Sequence, residues 1–178
     1  FSLRQRLKLA ALDLDLLRFA LPEGLSLKAA LARLREADPS GDYDGNRRYR
    51  LAAAPCSGVR CYGQQLVGLA PEASQCAAAP RIALLDTGVD LDHPSLRQAR
   101  ITVRRIGNGG GSPPAHGTAV AALIAGDARE GFAGLLPQAS IYAADVFAVE
   151  DGEAVADTAR LVEGLDWALA QSPDVINL

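Results

Sequence analysis

Two side chains suited to proton transfer stand where a chain can hold them still. Asp86 closes the run R-I-A-L-L-D, and His116 opens H-G-T-A-V-A-A-L-I-A-G. A carboxylate can only accept hydrogen bonds, whereas a neutral imidazole donates from one nitrogen and accepts at the other. Held together, they make the orienter and general base that activate a nucleophile. Alone, each has a duller use. An aspartate in Asp-Thr-Gly can be a turn residue, and a lone histidine usually caps a helix or fills a core.

The elements needed to position them are legible. Ile82 to Leu85 is a short apolar run, as expected of a strand buried on both faces. Asp86 falls at its carboxyl end, where open α/β sheets build their sites, and Thr87-Gly88 turns the chain there. Gly117 to Ala125 is apolar and small-residued, which predicts a tightly packed helix with His116 at its mouth.

The two stretches, I-A-L-L-D-T-G-V-D-L-D-H-P-S-L and H-G-T-A-V-A-A-L-I-A-G, resemble the Asp and His motifs of the subtilisin-like serine proteases, in that family's chain order. The resemblance implies that His116 is general base and then general acid, and that Asp86 holds its tautomer. The family's nucleophile lies in a later G-T-S-x-A motif, which these 178 residues do not contain. The expectation is therefore the front part of an endopeptidase, with the serine beyond this chain and the isolated chain inactive. An alternative is a non-catalytic inhibitor or scaffold with a subtilisin-derived fold.

Composition narrows the classes. The apolar fraction of 49% supports a sizeable core, and a net charge of −3 lacks the basic footprint of a nucleic-acid binder. No run approaches about 18 uncharged apolar residues, so no membrane span is predicted. Cys56, Cys61 and Cys76 are not in zinc spacing. A Cys56–Cys61 disulfide fits an exported protein and three reduced thiols fit the other case. Export, periplasmic or secreted, is the expectation from the resemblance and these cysteines.

Residues 1–54 differ in texture. Leu12, Leu14 and Leu16 alternate with aspartates, and L-R-F-A-L-P-E-G reads as a strand ending in a turn. Ser26 is a good N-cap for a helix with Leu27, Ala30, Leu31 and Leu34 on its apolar face. R-R-Y-R-L reads as a further strand. By position and pattern this α+β unit resembles the family's pro-domain, which lays its last strand in the substrate cleft. Ala52-Ala53-Ala54-Pro55 is the expected junction, with processing within residues 51–57, and C-Y-G-Q-Q-L-V-G-L-A is similar to the mature start.

Residues 55–178 are then the first part of the catalytic domain. I-T-V-R-R-I reads as a strand, 154–170 as an amphipathic helix carrying Val155, Val162, Leu165 and Leu169, and D-V-I-N-L as the next parallel strand. The fold class is α/β, a doubly wound and mainly parallel sheet after a small α+β module. No cofactor or metal is predicted. The glycine-rich 107–111 has no dinucleotide spacing or Walker lysine, and the loop before A-G-L-L-P lacks the family's Asn-rich calcium segment. A single Asp-Thr-Gly could serve an aspartic protease only as a dimer, against the His motif. Asp90, Asp92 and His93 read as a structural turn. Glu150, Asp151, Glu153 and Asp157 read as a solvated loop and helix start. Because the resemblance puts that segment near substrate subsites, a taste for basic substrate side chains is a further expectation. The expected partners are a polypeptide substrate, the packed pro-domain and a complementary C-terminal fragment.

Overall fold

The computed structural model describes residues 1–51, 79–107, 111–130 and 133–178. The cysteines, the junction at 52–55, Tyr62-Gly63 and most of the glycine-rich loop lie outside the described residues.

The centre is a four-stranded parallel sheet. Its strands are β4 (Arg81–Asp86), β5 (Arg100–Arg105), β6 (Ser140–Asp145) and β9 (Val175–Asn177), in the order β5-β6-β4-β9. Ile82, Ala83, Leu84 and Leu85 are all buried because both faces of β4 are covered, which explains its unbroken apolar run. Helix α2 (Ala115–Ala125) covers one face, where Ala121 and Ala125 meet Leu84, Ile141 and Ala143. Helix α3 (Thr158–Leu169) covers the other, where Ala168 joins Ala83, Leu85, Ala144 and Val146. Burying Leu84 completely contributes about 1.5–3 kcal/mol relative to an exposed leucine. Alanines on α2 let that helix approach the sheet closely.

The chain before this sheet begins with an antiparallel hairpin of β1 (Ser2–Leu9) and β2 (Leu14–Ala20). Leu12 sits in its turn, not in a strand, and Asp13 takes the left-handed conformation that closes it. Helix α1 (Leu27–Ala37) follows, capped as expected by Ser26, whose hydroxyl accepts from Ala29 N at 3.3 Å. Strand β3 (Arg48–Arg50) does not join the hairpin. It pairs antiparallel with β8 (Glu153–Asp157), which is in turn paired with β7 (Ala148–Glu150).

This three-stranded sheet corrects the expected helix over 154–170. Asp151 and Gly152 both have positive φ, 52° and 81°, the two-residue turn that Asp-Gly favours. That turn commits Glu153–Asp157 to a strand, and α3 begins only at Thr158. Asp157 is its N-cap, accepting from Arg160 N at 2.9 Å, and is buried rather than solvated. Such a cap contributes about 1 kcal/mol.

Residues 1–50 dock on this region by directed bonds. The Ala11 and Leu12 amides donate to Asp166 Oδ1 at 2.7 and 3.1 Å. Asn46 Oδ1 accepts from Ala159 N at 3.0 Å, and Thr158 N donates to the Arg47 carbonyl at 3.0 Å. Arg18 pairs with Asp157 at 3.2 Å. Among the described residues, no helix is long and apolar enough to cross a membrane.

Candidate active site

Asp86 is the last residue of β4, and His116 lies in the first turn of α2. The fold brings them together: His116 Nδ1 lies 2.7 and 2.9 Å from the two Asp86 carboxylate oxygens. A carboxylate cannot donate, so the ring donates from Nδ1, and in the neutral imidazole this leaves Nε2 as the acceptor. Asp86 is 8% exposed and His116 42%. The carboxylate is thus dry and fixed, while the imidazole reaches solvent and could reach a reacting group. Asp86 Oδ1 also accepts from Thr87 N at 2.6 Å, which further fixes its orientation.

The turn after Asp86 anchors the mouth of α2. Pro114, at the helix N-cap, offers no side-chain acceptor. The free Gly117 amide instead donates to Thr87 Oγ1 at 2.8 Å, and Asp90 N donates to Thr118 Oγ1 at 2.9 Å. The approach is so close that a Cβ at Gly117 would stand 2.5 Å from the Thr87 carbonyl oxygen and 2.6 Å from that of Gly88. Backbone oxygens cannot swing aside. Gly117→Ala is therefore expected to cost about 1–3 kcal/mol in urea unfolding. It should also lengthen the His116–Asp86 contact, visible as a changed Nδ1 proton signal by NMR. Unaltered stability and an unaltered signal would contradict this packing.

A second buried carboxylate, missed in the sequence, supports the same turn. Asp145 ends β6 in register with Asp86 on β4. Its Oδ1 accepts from Ser112 Oγ at 2.7 Å, and its Oδ2 from Ser112 N at 3.3 Å. The Ser112 hydroxyl also accepts from Gly88 N at 2.9 Å. Asp145, Ser112 and Gly88 so tie the chain entering α2 to the turn leaving β4. Only the strand-end position of Asp145 could have signalled this.

Asp90, Asp92 and His93 stay apart from the pair, on an exposed turn. His93 Nδ1 accepts from Ser95 N at 3.3 Å, and Asp90 Oδ1 from Asp92 N at 3.0 Å. Among the described residues, no three His, Cys, Asp or Glu side chains group to hold a metal.

Comparison with known proteins shows what the chain is similar to. The sequence model described as the subtilase family matches residues 78–178. The chain is 33% identical over 106 residues to the major intracellular serine protease of Bacillus subtilis (strain 168), covering 55% of this chain and 33% of that protein. It is 33% identical over 101 residues to subtilisin E of the same strain, covering 55% and 26%. The chain therefore spans a third or less of the length of these relatives. The solved structure of the patellamide maturation protease PatA aligns with 56% of this chain and 36% of its own, at 31% identity and a TM-score of 0.46.

Proposed function

Because the chain belongs to the subtilase family, we propose that it is the front part of a serine endopeptidase, and that Asp86 and His116 are two members of its catalytic triad. The observation that carries the proposal is the His116 Nδ1–Asp86 contact at 2.7 Å, with the imidazole partly open to solvent. In this reading Nε2 removes the proton of a serine hydroxyl as it attacks a peptide carbonyl. The same proton is then given to the leaving amine, and water repeats the cycle on the acyl-enzyme. The serine belongs to a G-T-S-x-A segment outside these 178 residues, which contain none.

Residues 1–54 are the proposed pro-domain and 55–178 the start of the catalytic domain. The bonds from Ala11, Leu12 and Asn46 to α3 and the pairing of β3 with β8 support a module seated on its own enzyme. Export is proposed from the resemblance and the cysteines. One relative is named as intracellular, so membership alone does not assign the compartment.

The test is hydrolysis. Made together with its downstream sequence, the protein should cleave a peptide anilide and lose that activity on treatment with diisopropyl fluorophosphate. The 178-residue chain alone should not cleave it. Activity of the extended protein that resists the fluorophosphate would refute a serine mechanism.

A further inference from the structure

From the seam between β3 and β8, we propose that the β8 edge, with Glu150 and Glu153, recognises extended peptides carrying arginines two residues apart. The proposal rests on the protease reading above and names the substrate class of that cleft.

The β7–β8 hairpin leaves the carboxyl end of β6, the sheet end that also carries Asp86. Its outer strand offers β8 main chain to a neighbour, and β3 takes that edge in the register Arg48↔Asp157, Tyr49↔Ala156, Arg50↔Val155. Alternation along strands puts Arg48, Arg50, Val155, Glu153 and Glu150 on one face. On that face Arg48 pairs with Glu150, and Arg50 Nε lies 3.1 Å from Glu153 Oε2. The chain's own segment thus reads as Arg-x-Arg against two glutamates.

β3 is weakly held as a strand. It is three residues long, its side chains are exposed, and it has a single strand neighbour. When it leaves, β8 regains a free edge; Glu153 then loses its Arg50 partner, while Glu150 keeps a second cation, Arg160 Nη1 at 3.6 Å, so Glu153 carries more of the preference. A peptide adding to that edge gains main-chain bonds whatever its sequence, and selectivity comes from the side chains. The chemistry favoured on the β3 side is cationic and spaced by two. Arginine suits it because its guanidinium matches a carboxylate. Both ion pairs are more than a third exposed, so the preference is modest and salt-sensitive.

The test uses the 178-residue chain carrying Arg48→Ser and Arg50→Ser, which strips the internal competitor of its charges. Two fluorescent peptides are titrated, one copying residues 46–51 and one with serine in place of the arginines at 48 and 50. The arginine peptide should bind about tenfold tighter at low salt, and the difference should shrink in 0.5 M NaCl. Adding Glu150→Gln and Glu153→Gln should abolish the preference. Equal binding of both peptides, binding of neither, or a preference that survives the glutamine changes overturns the proposal. If the serine variant does not fold, amide exchange of residues 48–50 is compared between the unaltered chain and its Glu150→Gln/Glu153→Gln form. About tenfold faster exchange supports the proposal and unchanged exchange overturns it. No step requires His116, so a failed hydrolysis assay and a failed binding assay indict different claims.

Discussion

His116→Ala, made in the protein extended through the proposed serine segment, is expected to lower kcat about a millionfold, the scale set by losing a triad base. The size follows from the number of steps one nitrogen serves. In the proposed mechanism Nε2 would take the serine proton during attack, return it to the leaving amine, and repeat both transfers with water. The other histidine is not placed to substitute. His93 is engaged with Ser95 N on an exposed turn. Since His116 is 42% exposed, its truncation leaves the fold nearly intact, and KM should change little. A loss below about a hundredfold, with folding unchanged, would mean that His116 is not the base.

Asp86→Asn is expected to cost about ten-thousandfold in kcat, two orders less, because the imidazole stays but its tautomer is no longer imposed. An amide can turn its NH2 toward Nδ1. That leaves Nδ1 as acceptor and moves the ring proton to Nε2, where the proposed base would need its lone pair. The change is nearly isosteric at a site 8% exposed, so the protein should still fold. Steady-state kinetics and an NMR assignment of the ring tautomer check it together. A variant with near-normal kcat, or with the Nδ1-protonated tautomer retained, would contradict the orienting role.

The parts legible in the sequence are those set by local pattern. Strand β4 could be read because both faces are covered, which leaves a continuous apolar run from Ile82 to Leu85. Helix α2 could be read because a close helix needs small residues, and Asp86 and His116 were marked by their motifs. The hairpin of β7 and β8 was not. Val155 falls in helical phase with Val162, Leu165 and Leu169, and that coincidence hid the Asp151-Gly152 turn, whose pair of positive φ angles fixes a hairpin. Strand β1, with Leu7 and Leu9 alternating about Lys8, was not read, whereas the alternation of Leu14 and Leu16 does fall in strand β2. The Ser112–Asp145 clasp and the pairing of β3 with β8 join residues far apart in sequence. Neither has a local period, so no window of sequence contains it.

The most direct measurement of the central claim is labelling of the protein from its natural source with a serine-directed phosphonate, followed by peptide mass mapping. The account predicts one label per chain, on the serine of a G-T-S-x-A peptide downstream of Leu178, and loss of labelling in His116→Ala. A protein with no such peptide, or one whose labelling is indifferent to His116, would contradict it.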